Sequence, residues 1–261
     1  MCCSERRQHK VTHHSLAERV LLFIAMRRLI GRHSYRWCMK RSASTTTAGA
    51  EEVCRMPPWL LLEMKTNHAG EYGAVQIYHG AYYGLKLHEQ LNVFIDEKRD
   101  AMKVAFDFVE KHRKAEEKHL EIIESFIQPS DRTKLIPLWH LSAFMLGLLP
   151  SIFGQRALYW TIASVESFVE EHYNDQINRL RREGDPLPNI RQTLQLCCED
   201  EIEHKDEAVA ALLVGVNGRL RDLYDDETLY DDLLQKSAAA KAWTFIVDKG
   251  SRVAVQFSKK Y

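Results

Sequence analysis

The chain has 261 residues, 45% of them apolar and 28% charged, enough for one sizeable globular domain and a tail. Its net charge of zero is unevenly spread: residues 1–50 hold ten basic and two acidic residues (+8), leaving 26 basic and 34 acidic residues (−8) beyond them. The acidic balance argues against nucleic acid as the main partner. Six cysteines without a C-x-x-C pattern argue against a disulfide framework or a zinc site, and we expect Cys197 and Cys198 to be small core residues in a reducing compartment.

Residues 1–50 have the composition of a mitochondrial transit peptide. They are rich in arginine and nearly free of acids, and they contain a Ser/Thr run at 42–47. Leu16–Arg32 can form a basic amphipathic helix, but its apolar run is too short to span a bilayer. We therefore exclude this basic extension from the fold. A basic tail without a targeting role is the alternative.

The domain that we place at residues 57–261 begins at a Pro-Pro pair, and its first predicted helix is Trp59–Gln90. Glu71 lies on the inward face of this helix. Several glycines interrupt it, each costing roughly 1 kcal/mol against alanine in an exposed helix. Such clustering predicts close approach of a neighbouring helix instead. The four glycines concerned are Gly70, Gly73, Gly80 and Gly84.

The second predicted helix, Asp96–Ile127, carries Glu116 and His119 three residues apart. This spacing puts both side chains on one face of the helix, together with apolar residues such as Val109 and Ile123. Helix bundles hold a pair of metal ions with Glu-x-x-His pairs of this kind. One pair alone is weak evidence, because about one is expected by chance in a chain of this composition.

The stretch Leu135–Gly154 is the most apolar part of the chain and is interrupted by two prolines and a histidine. A transmembrane helix would need about 20 uninterrupted apolar residues. We interpret the stretch as a membrane-surface or ligand-facing segment. The alternative is a buried crossover between two halves of a bundle, a connection that ferritin-like folds require.

The third predicted bundle helix, Gln155–Arg182, has Glu166 on its inward face. The fourth, Leu187–Val214, carries Glu201 and His204, which form a second Glu-x-x-His pair. The order Glu…Glu-x-x-His therefore occurs twice, and the repeat strengthens the evidence from each pair.

A ferritin-like di-iron bundle needs this inventory of one Glu from each of two helices and one Glu-x-x-His from each of the other two. Four buried carboxylates carry a charge of −4, which two Fe(II) ions would neutralise. Oxygen-rich ligands with one imidazole per ion suit iron or manganese better than zinc, and the spacing does not separate iron from manganese. The six predicted metal ligands are Glu71, Glu116, His119, Glu166, Glu201 and His204.

Towards the C-terminus, the acidic stretch at 225–232 predicts a solvated surface, and Ala238–Phe257 predicts a terminal amphipathic helix. No stretch of the sequence shows a pattern that would predict a β-strand instead of a helix. The predicted fold is all-α: a ferritin-like four-helix bundle with a long apolar crossover and an extra terminal helix. Three further histidines are expected to support the ligands or pack in the core, namely His68, His112 and His172.

Over roughly residues 57–261, the chain resembles the demethoxyubiquinone hydroxylase family of ubiquinone biosynthesis. The most specific run is Asn-His-Ala-Gly-Glu-Tyr-Gly-Ala at 67–74, although Asn67 stands where we expect Asp. The interval between Glu71 and Glu116 is longer than usual, which predicts a longer hairpin between the first two helices. The remaining motifs lie at 116–120, 165–167, 172–177, 200–204 and 251–254.

The resemblance implies a di-iron monooxygenase, peripheral on the matrix side of the mitochondrial inner membrane, that hydroxylates the ring of demethoxyubiquinone. It places two Fe ions on the six predicted ligands and implies a prenylated quinone and dioxygen as substrates. It also implies a lipid-binding partner protein and NADH as the electron source. A homo-oligomer stays open. Tyr173 and His172 follow Glu166 on the same helix and are candidate catalytic residues for electron transfer, with packing as the alternative.

Two other functions stay open from the sequence. A ferritin-like iron-storage or peroxide-scavenging protein would keep the six ligands but would not require the apolar segment Leu135–Gly154. A helical membrane adaptor would carry the same glutamates and histidines on its surface and bind no metal.

Overall fold

The computed structural model describes residues 56–91, 99–214 and 226–261. These residues form helices and connecting turns and contain no strand, as the sequence predicts. The predicted basic extension at 1–50 and the predicted helix start at Asp96 lie outside the described residues. The helices are α1 (Pro58–Leu91), α2 (Arg99–Glu124), α3 (Ile136–Ile152), α4 (Gln155–Arg182), α5 (Pro188–Leu212), α6 (Asp226–Lys236) and α7 (Ala238–Lys260).

The long helices agree with their predicted bounds within a few residues. Helix α4 has the predicted bounds, and α5 begins at Pro188, where the missing amide proton of proline costs nothing. Helix α2 ends at Glu124 instead of Ile127, and a 3-10 turn at Pro129–Asp131 follows it. Ser237 caps α7 by accepting a hydrogen bond from the backbone N–H of Ala240, 3.1 Å away.

One element was missed by the sequence pattern. The acidic stretch was expected to be a solvated surface, and its described part belongs to helix α6. Asp231 and Asp232 are indeed exposed, but Leu229 is buried and joins the apolar core. The many acids hide the apolar side of this short helix, because only a few of its positions face the protein.

Helix α3 packs along α1 at very short range. A Cβ atom on Gly80 would lie 2.0 Å from the carbonyl oxygen of Phe144, and one on Gly147 would lie 1.8 Å from that of Ile77. Only hydrogen fits at these two positions, so the backbones can touch. The predicted close approach is confirmed at Gly80 and equally at Gly84, whereas Gly70 faces open space.

The apolar segment is a crossover helix with more than one kind of surface. Ala143 and Ser151 are buried, whereas Leu138 and Leu141 are 53% and 61% exposed. Among the described residues, no helix combines the length and the apolarity needed to cross a membrane. The segment is therefore both the buried crossover that a bundle needs and an apolar outer surface.

The bundle interior has two apolar clusters with a charged layer between them. Leu60, Met64 and Ile123 belong to the cluster near the start of α1. Leu85 and Ile162 belong to the cluster near its end. The inward face that the helical pattern predicts for the first helix is buried except at Tyr82, which is 38% exposed; its other members are Met64, Asn67, His68, Glu71, Ala74, Val75 and Tyr78. Charges in the middle layer are cut off from water by apolar side chains at both ends.

Candidate metal centre

The charged layer holds all six predicted ligands. Helices α1 and α4 each contribute one glutamate, and α2 and α5 each contribute a glutamate and a histidine three residues later. Every one of these side chains is at most 4% exposed. Four carboxyl groups at such a depth need neutralising partners, because a buried unpaired charge is strongly unfavourable.

The ligand atoms fall into two groups, and in each group all atoms lie within 4.8 Å of one another. Glu116 and Glu201 occur in both groups, so we call them the shared carboxylates. The first group is completed by Glu71 and His119, which we call the Glu71 half. The second is completed by Glu166 and His204, which we call the Glu166 half.

The hydrogen bonding of this cluster is incomplete. His204 Nδ1 lies 3.0 Å from Glu116 Oε1 and 3.1 Å from Glu201 Oε2, yet it makes no hydrogen bond within the described part of the chain. Both carboxylate oxygens of Glu116 and Oε2 of Glu201 are likewise buried without a hydrogen-bond donor there. Orphaned acceptors at this depth call for another partner. A cation shared by the carboxylates would supply it, so the donor set fits a pair of metal ions.

The pKa values of the carboxyl groups in the cluster are shifted in different directions. Burial, with the charge of Glu201 alongside, raises the pKa of Glu71 well above its usual range, and the same causes raise the pKa of Glu166. Burial also acts to raise the pKa of Glu116, but the two imidazoles that face it outweigh this effect and lower its pKa to about 2. Without a metal, the two outer carboxyls therefore keep their protons to higher pH than usual, and metal binding there would release protons.

A carboxylate outside the six ligands orients one imidazole. His119 Nε2 lies 3.1 Å from Asp200 Oδ2, and His119 Nδ1 lies 3.0 Å from Glu201 Oε1. When Nε2 donates its proton to Asp200, Nδ1 presents a lone pair to the carboxylate cluster. Sequence reasoning assigned no role to Asp200, although this residue directly precedes a Glu-x-x-His pair.

Two buried tyrosines donate to the outer glutamates in a crossed arrangement. Tyr78 on α1 donates to Glu166 on α4 across 3.3 Å, and Tyr173 on α4 donates to Glu71 on α1. Each tyrosine lies seven residues after the glutamate of its own helix, so it points inward on the same face two turns later. The repeated Glu-x6-Tyr spacing is the sequence signal for this pair. The helical pattern puts both tyrosines on inward faces, but sequence reasoning assigned a candidate role only to Tyr173.

The two candidate catalytic residues have different surroundings. Tyr173 contacts Glu71 directly. His172 Nε2 lies 3.0 Å from Thr66 Oγ1, and its ring stacks on Phe168. Neither arrangement tests the predicted role in electron transfer, which stays a prediction.

Other polar residues brace the layer. Asn67 and Gln176 exchange two 2.9 Å hydrogen bonds between α1 and α4, so the Asn that replaces an expected Asp is fully paired. His112 is completely buried, with its ring centroid 4.2 Å from that of His204. His68 Nε2 lies 3.2 Å from Glu124. These contacts match the supporting or core position expected for the two histidines.

An apolar cavity of about 370 Å³ adjoins the cluster. Its lining includes all four carboxylates of the cluster and Tyr173. Most other lining residues are apolar or small and come from four helices, so the cavity is suited to a ring-sized apolar ligand. Helices α3 and α7 contribute the outer walls through residues such as Ala143, Leu146, Ile246, Val247, Ala254 and Val255.

Comparison with known families gives a match to a family model that covers most of the chain. The family model described as "Ubiquinone biosynthesis protein COQ7" matches residues 60–258 of this chain. The matched region contains all six predicted ligands and includes most of α7.

Three curated relatives illustrate the similarity. The "NADPH-dependent 3-demethoxyubiquinone 3-hydroxylase, mitochondrial" of Dictyostelium discoideum is 30% identical over 141 residues, 54% of this chain and 59% of the relative. The "3-demethoxyubiquinol 3-hydroxylase" of Rhodospirillum rubrum is 32% identical over 148 residues, 55% of this chain and 60% of the relative. The Homo sapiens protein, named like that of Dictyostelium, is 29% identical over 148 residues, with the same shares of 55% and 60%. The chain thus matches about 60% of the length of these relatives.

Proposed function

The chain belongs to the ubiquinone biosynthesis protein COQ7 family and has its ferritin-like helical bundle, and on that premise we propose that it is a di-iron monooxygenase. Its proposed reaction is hydroxylation of the benzoquinone ring of demethoxyubiquinone. The relatives' names place their reaction at ring position 3 and give the substrate as either the quinone or the quinol. We extend that activity to this chain.

One observation carries the proposal: the cluster with two shared carboxylates lies at an apolar cavity. A metal pair that is only stored or scavenges peroxide has no use for a ring-sized apolar cavity. A membrane adaptor with surface glutamates would not bury them. Neither alternative gains support from the described residues or from the relatives. A hydroxylase explains both the buried carboxylate cluster and the apolar cavity beside it.

We propose that the cofactor is two iron ions, which the residues of the Glu71 half, the residues of the Glu166 half and the shared carboxylates would hold. Oxygen-rich ligands with one imidazole per ion suit iron, and the choice of iron over manganese follows the family. A reduced iron pair would supply two electrons for the reduction of dioxygen.

The residues of this chain would bind the ring and keep water out. The apolar walls hold the ring beside the carboxylate cluster, and the crossed tyrosines keep the outer carboxylates in place. Overall, one oxygen atom of dioxygen replaces the hydrogen of a ring C–H bond to give C–OH, and the other leaves as water. Two electrons and two protons from outside complete the balance. The relatives are named as NADPH-dependent enzymes, whereas the resemblance implies NADH as the electron source.

We further propose a mitochondrial location with peripheral attachment to the matrix side of the inner membrane. Several relatives are named as mitochondrial. Helices α3 and α7 line the cavity and also carry exposed apolar side chains, such as Leu141 and Phe245, on their outer surfaces. Such surfaces bind a bilayer interface, and a prenyl tail could then stay in the lipid while the ring enters the cavity. A lipid-binding partner protein would present the substrate there, and a homo-oligomer is compatible with this arrangement.

Quinone profiling of cells that lack the protein tests the function. The demethoxy precursor should accumulate and ubiquinone should fall. The wild-type chain should restore ubiquinone, whereas Glu166→Ala and His204→Ala should not. The matched control is Glu171→Ala, which removes an exposed carboxylate from the same helix as Glu166 and should restore ubiquinone. Normal ubiquinone without precursor in the deletion strain would contradict the hydroxylase assignment.

Liposome binding tests the membrane attachment. Replacing Leu138, Leu141 and Phe153 with serine should weaken binding to vesicles, and Val104→Ser, an equally exposed apolar position on α2, should not. Alkaline carbonate should extract the protein from mitochondrial membranes. Resistance to that extraction would contradict peripheral attachment.

A further inference from the structure

Trp139 is a hydrogen-bond donor of the cavity that no part of the reaction described so far uses. It lies on α3 and lines the cavity. Its indole Nε1 is buried and finds no acceptor among the described residues. An indole N–H can only donate, and leaving it unpaired away from water is unfavourable. A ligand oxygen that approached this nitrogen from the cavity would satisfy it.

The position of Trp139 along the bundle brings it level with the charged layer. Its neighbour His140 forms a 2.9 Å hydrogen bond, through Nδ1, with the hydroxyl of Tyr72, which directly follows Glu71. One turn further along α3, Ala143 Cβ lies 3.7 Å from where a Cβ would stand on Gly73. Both contacts put Trp139 beside the part of α1 that carries Glu71.

Three other side-chain donors of the cavity lining are already engaged. The hydroxyl of Thr66 donates to the carbonyl of Glu63, at 2.7 Å. That of Ser142 donates to the carbonyl of Leu138, at 2.9 Å. Tyr173 donates to Glu71. The carboxylates of the cluster, when ionised, can only accept. The indole N–H of Trp139 is therefore a donor that has no acceptor among the described residues and is left for an oxygen of a ring in this cavity.

We propose that the Trp139 N–H donates a hydrogen bond to an oxygen on the substrate ring and so selects an oxygenated ring over a plain hydrocarbon. This inference rests on the proposed function, because the ligand class is the prenylated quinone. Both a quinone carbonyl and a quinol hydroxyl accept such a bond, so Trp139 serves either redox form of the ring. The tail needs no polar partner and does not involve it.

Two ligands that differ in their ring oxygens provide the test. A hexyl-tailed methoxybenzoquinone and hexylbenzene are titrated into the metal-loaded full chain by calorimetry. Trp139→Phe keeps an aromatic ring and removes the donor. It should weaken quinone binding roughly five- to tenfold while leaving hexylbenzene nearly unchanged. Retained hexylbenzene binding also shows that the variant is folded.

The control is Trp59→Phe, since the N–H of Trp59 already donates to Glu183 across 2.9 Å at an exposed site. It should change neither affinity. The infrared carbonyl band of the bound quinone should lie at lower wavenumber in the wild type than in Trp139→Phe, a shift that lost packing would not produce.

Equal losses of both ligands in Trp139→Phe, or an unmoved carbonyl band, would overturn the role of Trp139 while leaving quinone binding in place. A wild-type chain that does not prefer the quinone to hexylbenzene would count against both this inference and the proposed function.

Discussion

The Glu71 half and the Glu166 half of the candidate metal centre use the same residue types at the same spacing, yet the fold supports them differently. In the Glu71 half, Asp200 lies 3.1 Å from the outer nitrogen of His119. In the Glu166 half, the ring of His204 packs at 4.2 Å against the ring of His112. One imidazole is oriented by a carboxylate and the other by an aromatic neighbour.

The difference comes from one position in each repeat. The residue before the shared carboxylate on α5 is Asp200, and the corresponding residue on α2 is Ala115. A carboxylate that accepts the outer N–H of an imidazole makes its other nitrogen a better ligand. We therefore expect the Glu71 half to bind its cation more tightly, so that two similar halves load in order.

Removing a shared carboxylate should have the largest effect, because it serves both halves. Glu201→Gln should lose both metal ions, and helix content should stay near that of the wild type. Iron analysis of the purified protein measures this. Glu203→Gln, two residues along α5 and 40% exposed in its side chain, is the matched control and should keep both ions. Full iron in Glu201→Gln would show that the two halves do not share it.

Removing an outer carboxylate should affect one half only. Glu71→Gln and Glu166→Gln should each retain about one of the two proposed ions, since the shared carboxylates and the opposite half stay intact. Titration with Co(II), followed by its visible absorption, gives the stoichiometry. Loss of both ions in either variant would mean that the halves cannot load separately.

Asp200→Asn tests the expected order of loading. It should lower the affinity of the Glu71 half roughly ten- to a hundredfold and leave the Glu166 half unchanged, so that two binding steps converge. Glu199→Gln, the adjacent carboxylate on α5, should leave both steps as they are. If both affinities fell equally, Asp200 would not distinguish the halves.

The crossed tyrosines should give the smallest effects. Tyr173→Phe should weaken metal binding in the Glu71 half, and Tyr78→Phe in the Glu166 half, each by roughly three- to tenfold from the loss of one hydrogen bond. Tyr173→Phe should also alter quinone binding, because only Tyr173 of this pair is part of the cavity lining. Identical behaviour of the two variants in both assays would contradict the crossed pairing.

Local patterns in the sequence were enough for the four long helices that carry the six residues of the charged layer, and for those six residues. A three-residue spacing puts Glu116 and His119 on one helical face whatever the partner, and the apolar residues around them indicate which face is buried. The glycines of α1 predicted a close neighbour for the same local reason. The sequence pattern did not predict helix α6, because this helix has few apolar positions and many acidic ones.

The sequence by itself determined which side chains turn inward, because helical periodicity is a property of a single helix. Only the tertiary structure decided which of them meet. It places Glu116 and Glu201 in both halves and Asp200 within 3.1 Å of His119. It also pairs the tyrosine of α1 with the glutamate of α4, and the tyrosine of α4 with the glutamate of α1. These contacts join residues about 80 to 100 positions apart, so they depend on how the helices pack, which no spacing within one helix encodes.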